Sequence, residues 1–214
     1  MRQHVNPLSQ FFQLPLSLPS KSILFNNSQY PIHLDIGSAK GEFLMELASK
    51  NPNWNFLGLE IRDPLVRSSE RKRKQLGLQN LKFLYCNVNI SLDEWLSNLD
   101  LDQLKRVSIQ FPDPWFKRKH MKRRVLKKCL LNSIARSMSH NGELFIQSDV
   151  FKLIEYMSDV IDESIYFDRK VVNGLKWLEK NPYEVSTDRE IFVLKRKLPI
   201  FRAMYIRNKA LFIS

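Results

Sequence analysis

The chain has only two cysteines among its 214 residues, Cys86 and Cys129, and four histidines, at 4, 33, 120 and 140. Two cysteines cannot build a disulfide framework, and neither they nor the histidines show metal-ligand spacing, so no metal is expected. Both cysteines fall in apolar surroundings and are expected to be small buried side chains. No apolar run approaches bilayer-spanning length, which leaves no membrane partner of that kind. The opening Met-Arg-Gln-His-Val-Asn-Pro lacks the basic start and apolar stretch of a secretory signal. Residues 1–34 also lack any acidic side chain, as organelle transit peptides do. They carry only Arg2 and Lys21, however, and Pro7, Pro15 and Pro19 oppose an amphipathic helix. A cytoplasmic protein is the expectation.

Acid is in short supply overall. Lys and Arg number 34 against 22 Asp and Glu, a formal charge of +12. A surplus of that size favours a polyanionic partner, nucleic acid or an anionic membrane face. The length and 43% hydrophobic content suit one core with short extensions.

Beyond the proline-broken first 30 residues, strand-like and helix-like segments alternate. Strands are expected at Pro31–Ile36, Asn55–Glu60, Leu81–Cys86, Arg106–Phe111, Glu143–Gln147 after the Asn141-Gly142 turn, near Ile165–Val172, and at Phe201–Arg207. Helices are expected over 40–50, 64–77 with Pro64 in the first turn, a short one opened by the capping box Ser91-Leu-Asp-Glu94, about His120 to Ser139, and about 150–163. Such alternation indicates an α/β fold, an open and mostly parallel sheet covered on both faces. Ligands bind such sheets beyond the C-terminal strand ends.

The first strand runs into His33-Leu-Asp-Ile-Gly-Ser-Ala-Lys-Gly41, where small residues at 37, 39 and 41 permit a sharp turn and close ligand approach. An ordinary strand-to-helix turn reads the same way. A dinucleotide fingerprint would want glycine at 42, and Glu42 there would face a pyrophosphate. S-adenosylmethionine, which has no phosphate, suits this loop better, and its sulfonium cation tolerates Asp35 and Glu42. Glu60 ends the second strand, where a carboxylate can take both ribose hydroxyls, or else is a surface glutamate beside Arg62. Asn87 follows the third strand, where an amide can read an adenine edge.

The fourth strand leads to Gln110-Phe-Pro-Asp113-Pro-Trp115. The flanking prolines stiffen the loop and hold Asp113 beyond the strand end, where a cofactor methyl would project. Trp115 is either a stacking surface for a base or a buried anchor of the loop. Residues 117–128 contain eight Lys or Arg and no acid, which reads as a solvated helix face or, beside this loop, as a grip on phosphates. Further basic residues cluster at 67–74 and 195–202.

Together these residues resemble the bacterial tRNA (guanine-N7-)-methyltransferase family. The similarity covers Asp35-Ile-Gly, Gly58-Leu-Glu60-Ile, the block from Phe111 to Arg124, Ser148-Asp149 and Thr187-x-x-Glu190, with a weaker match in Arg-Gln-His-Val-Asn-Pro-Leu at the start. The resemblance implies a class I (Rossmann-like) methyltransferase fold, seven-stranded with the last strand antiparallel. It divides the chain into an arm, 1–30, and a methyltransferase domain, 31–214. It implies methyl transfer from S-adenosyl-L-methionine, leaving S-adenosyl-L-homocysteine, to N7 of the guanine at position 46 of tRNA. By position, Asp35, Gly37, Glu60, Asn87 and Asp113 would bind the cofactor; Lys117, Asp149, Thr187 and Glu190 would bind tRNA. This sequence departs from the family at Ala39 (usually glycine), Asn87 (commonly aspartate) and Asp188-Arg189 (usually Lys-Phe).

Guanine N7 carries an in-plane lone pair and needs no base, so positioning and charge stabilisation would supply the catalysis. Asp113 is the first candidate for that role and Asp149 the second. A methyltransferase acting on an exocyclic amino group, and a non-enzymatic RNA-binding module, are the competing readings. Oligomeric state stays open.

Overall fold

The computed structural model describes residues 5–212. Residues 1–4, with Arg2, His4 and the start of the weaker family match, lie outside that range, as do the last two residues of the 31–214 domain.

Seven strands form one sheet: β1 (Ile32–Ile36), β2 (Asn55–Glu60), β3 (Leu81–Tyr85), β4 (Leu104–Gln110), β5 (Met138–Ser148), β6 (Phe167–Arg169) and β7 (Phe201–Arg207). Their order is β3-β2-β1-β4-β5-β7-β6. The first five run parallel, while β7 is antiparallel to both β5 and β6. β1 has β2 on one side and β4 on the other, so the chain leaves their C-terminal ends in opposite directions and opens a crevice there.

The helices are α1 (Lys21–Leu24), α2 (Glu42–Lys50), α3 (Asp63–Gln75), α4 (Val88–Ser97), α5 (Lys128–Ser137), α6 (Phe151–Asp162) and α7 (Asp188–Lys195). Strand alternation sorts the core into two layers. Leu57 and Leu59 join the larger cluster with Leu92, Ile134 and Ile154, whereas Phe56 joins Phe43, Leu44, Val66 and Phe83 on the other face. Residues before β1 are part of this packing, since Leu24 and Phe25 are buried in the larger cluster.

Five expectations need correction. β5 begins at Met138 and runs through the Asn141-Gly142 pair instead of following it. The helix expected from His120 to Ser139 is a 3-10 turn, Arg118–Arg123, then α5 from Lys128. Like charges three and four apart oppose one continuous helix, and Arg124 turns inward instead. α4 begins three residues before Ser91, because Asn87 caps it by accepting from the Asn89 N–H at 3.3 Å. The sixth strand is only three residues long, an edge strand paired on one side. Cys86 is buried, but Cys129 is exposed, since α5 turns Leu130, Leu131 and Ile134 inward.

A polar row crosses the sheet near its C-terminal edge. Register places Asp35 beside Ser108, Gln110 beside Gln147, and Gln147 beside Arg202. Gln110 Nε2 donates to Asp35 at 3.3 Å, and Gln147 Nε2 donates to Gln110 at 2.7 Å. Arg202 donates to Gln147 at 3.1 Å and to Glu190 of α7 at 2.7 Å. Asn181 and Gln147 also donate to Glu190, which is 1% exposed. Burial is tolerable for this ion pair because its remaining hydrogen-bonding positions are filled. Arg202→Met strands Glu190 and is expected to cost about 3–5 kcal/mol in urea unfolding. Adding Glu190→Gln is expected to recover most of that loss; an unchanged midpoint for the single variant would contradict this role.

Candidate active site

Two cavities meet at the crevice. The first, about 790 Å³ including its open mouth, lies among the ends of β1, β2 and β3 and is walled by Gly37, Glu60, Asn87, Gln110 and Asp113. The second, about 1320 Å³ measured the same way, runs from Asp35 and Gly37 past Asp113 to Thr187 and Arg189. Gly37, Arg62, Gln110, Phe111 and Asp113 border both.

The turn after β1 is shaped by left-handed backbone. Gly37 has φ +83°, with open space where a side chain would stand. Gly41, at φ +73°, caps α2, and a Cβ there would sit 2.2 Å from the Phe83 ring. Ala39 also has positive φ, +50°, a conformation glycine adopts without strain. Its N–H donates to Glu60 at 3.0 Å.

Glu60 is buried and grips Arg62 at both oxygens, receiving the backbone N–H at 3.0 Å, Nε at 2.9 Å and Nη2 at 2.8 Å. The Glu60 bond raises the Arg62 pKa against the effect of burial, with the fields of Glu60 and Asp113 adding to it. Asp35 accepts from Ser108 Oγ at 2.6 Å and from Gln110. Burial still pushes its carboxyl up to about 6, opposed by those two hydrogen bonds and helped by nearby Glu60. Deeper still, burial and then Arg106 hold His33 down to about 3, so it is a neutral hydrogen-bond partner of Ser108. Glu42, thought of as a neighbour of the cofactor cation, is held by Lys72.

Asp113 sits on a loop braced at both ends. Phe111 and Trp115 take φ +47° and +46°, values that bulky residues rarely adopt. The Phe111 N–H donates to the Gln147 carbonyl at 2.8 Å. Arg124, 6% exposed, donates from Nε to the Pro114 carbonyl at 3.1 Å and lies over the Tyr156 ring. One arginine of the basic run is thus a brace for the loop. Trp115 is half-buried, with His120 edge-on at 5.9 Å and Arg123 over its ring at 4.9 Å.

The structure therefore gathers Gly37, Glu60, Asn87 and Asp113 around the first cavity, and Asp35, Gly37, Asp113 and Thr187 around the second. Thr187 caps α7, accepting from the Glu190 N–H at 3.1 Å. Asp149 adjoins through an ion pair with Arg189. Lys117 is exposed on the loop, and Glu190 faces inward on Arg202 rather than either cavity. Sequence reading passed over Gln110 and Gln147. Their signal was the same as that of Asn87, an amide closing a parallel strand. Among the described residues no group of three or more His, Cys, Asp or Glu is placed to hold a metal.

Residues 29–203 match a family described as putative methyltransferases. A tRNA (guanine-N(7)-)-methyltransferase of Prochlorococcus marinus is 73% identical over 214 residues, the whole of both chains. One of Parasynechococcus marenigrum is 52% identical over 208 residues, 97% of this chain and 88% of that one. Among solved structures, an rRNA methylase from Streptococcus thermophilus superposes with a TM-score of 0.52 at 13% identity, over 88% of this chain and 92% of that one, a likeness of fold alone. Full-length identity of this degree and a methyltransferase sheet with carboxylates at its strand ends lead to one conclusion: the chain belongs to the tRNA (guanine-N(7)-)-methyltransferase family.

Proposed function

We propose that this chain transfers the methyl group of S-adenosyl-L-methionine to N7 of the variable-loop guanine at position 46 of tRNA, in the cytoplasm. The observation that carries this reading is the place of Asp113, on a stiffened loop in the wall shared by the two cavities. The first cavity suits the adenosyl group, with the free turn at Gly37 and the Glu60 carboxylate beside it. The second suits the base, with Thr187 on its wall and Asp149 behind Arg189; these two and the exposed Lys117 are the tRNA contacts of this reading. In this arrangement Glu190 serves the substrate by holding α7 in place.

The donor supplies an electrophilic methyl: the guanine N7 lone pair forms the new C–N bond as the S–CH3 bond breaks, and the sulfur keeps that electron pair in S-adenosyl-L-homocysteine. No proton moves in that displacement, so no residue here is asked to act as a base. Positive charge passes from sulfur to the guanine ring, and Asp113 stabilises it where it arrives. The prolines, Arg124 and the Gln147 carbonyl keep Asp113 from relaxing away, so little reorganisation is needed at the moment of transfer. Asp35, once ionised, faces the second cavity next to Gly37 and Gln110 of the shared wall, where the donor's cation would lie. Basic clusters at 67–74, 117–128 and 195–202 give the polyphosphate backbone its grip.

Asp113→Asn keeps the loop's shape and removes the charge. It is expected to lower single-turnover methylation about a hundredfold or more with tRNA affinity retained; full turnover would remove Asp113 from the mechanism. A tRNA carrying 7-deazaguanine at position 46 is expected to accept no methyl, whereas transfer to an exocyclic amine would continue.

Asp35 gives two opposite pH trends. Its folded pKa is raised, from 3.8 to about 6, so the native state holds the proton more firmly than the unfolded chain. Its contribution to stability therefore falls as pH rises through that interval. Cofactor affinity is expected to rise over the same interval, as the carboxylate ionises. Asp35→Asn is expected to flatten both trends, measured by urea melts and cofactor calorimetry at about pH 5 and about pH 8. Trends that persist in the variant would assign them to another group.

A further inference from the structure

The segment before β1 has a part in the first cavity that its sequence did not suggest. Val5 and Pro7 line that cavity, opposite Gly37 and Glu60 and beside Asn87 and Val88. Three residues of the α4 segment hold the arm down. Asn87 Nδ2 donates to the Phe12 carbonyl at 2.8 Å and to the Pro7 carbonyl at 3.2 Å. Ser91 Oγ accepts from the Leu16 N–H at 2.9 Å, and Trp95 Nε1 donates to the Pro19 carbonyl at 2.9 Å. Positions 87, 91 and 95 recur every four residues, so they form one stripe along the helix. The arm's tip is also braced within itself: the Ser9 N–H donates to the Asn6 carbonyl at 3.1 Å, and Gln13 Nε2 donates to the Pro7 carbonyl at 2.6 Å.

These bonds use both N–H donors of the Asn87 amide. An asparagine amide has one acceptor oxygen and two N–H donors. Its oxygen caps α4, and both donors are spent on the arm. Donating to an adenine ring nitrogen would break a tether, whereas the amide oxygen keeps a second lone pair beside the cap. Meanwhile Val5, Pro7 and Val88 present apolar surface to the same space, the kind of surface that the flat face of a purine packs against.

We infer that the N-terminal arm is the outer wall of the cofactor cavity, and that Asn87 spends its two donors on pinning that wall rather than on a ring nitrogen of the base. The inference rests on the reading that S-adenosyl-L-methionine occupies the first cavity. Asn87 is on this view a positioning residue acting through residues 7–12, and Val5 and Pro7 are contacts for the adenosyl group.

The test is a double-mutant cycle on the full chain. Val5→Trp places an indole where the cofactor would lie, at a position outside both core clusters. Asn87→Ser keeps a helix-capping oxygen and removes the two arm donors. Each is measured by S-adenosyl-L-methionine KM, tRNA KM, kcat at saturating cofactor, S-adenosyl-L-homocysteine calorimetry and thermal midpoint. Val5→Trp is expected to raise the cofactor KM about tenfold or more, the size of one large apolar contact exchanged for a clash. Its kcat, tRNA KM and midpoint are expected to stay at wild-type values. Asn87→Ser is expected to weaken cofactor binding too. In the double variant the freed arm carries the indole away, so cofactor binding is expected to be no worse than in Val5→Trp alone. Wild-type cofactor affinity in Val5→Trp would overturn the wall. Simply additive losses would overturn the pinning role and return Asn87 to direct contact. A wild-type chain that bound neither form of the cofactor would instead refute the functional reading beneath both.

Discussion

The hydrogen-bonded row from Asp35 through Gln110 and Gln147 to Arg202 and Glu190 is the constraint on which the rest of the site depends. It joins four neighbouring strands and α7 at the edge of the sheet where both cavities open. Its members are buried, so each unsatisfied group would be costly, and the row can exist only in one register. Gln147 has a double part. Its side chain carries the row, while its backbone carbonyl holds the Phe111 N–H and so the root of the Asp113 loop. The Asp35 carboxylate, the Asp113 loop and α7 are in this way indexed to the same few atoms.

Charge is distributed to match that geometry. The chain as a whole is strongly basic, yet the strand ends and the loop beyond β4 carry Asp35, Glu60 and Asp113 around the two cavities. A cationic methyl donor and a guanine that becomes cationic both belong among carboxylates, while the phosphates around that guanine belong on lysine and arginine. Arg62 and Arg189 sit where those two regimes touch, paired with Glu60 and Asp149. Asp149 is ion-paired with Arg189 beside the second cavity, and Asp113 borders both cavities.

The parallel strands and the cavity-bearing ends were legible because apolar runs ending in Gly37, Glu60 and Asn87 carry a strong local signal. Asp113 was legible because two prolines announce a stiff loop. What stayed hidden depends on long-range partners. The 117–128 run looked helical by composition, but Arg124 is drawn to Pro114 by a contact that propensity cannot see. Ser91 and Glu94 spelled a capping box, yet Asn87 took the cap and Ser91 was left to hold Leu16. Val5 and Pro7 gave no sign of facing a cavity, since only the folded path of the arm brings them to β1 and β2. Cys129 failed for a simpler reason, as apolar neighbours in sequence lie on other faces of a helix.

The most direct measurement is to incubate the chain with methyl-labelled S-adenosyl-L-methionine and unmodified tRNA, then digest the RNA and assign the labelled nucleoside and its position. All of the label is expected in 7-methylguanosine at position 46. Label on an exocyclic amino group, or spread over several guanines, would contradict a site in which Asp113 and the two cavities present one N7 to one methyl.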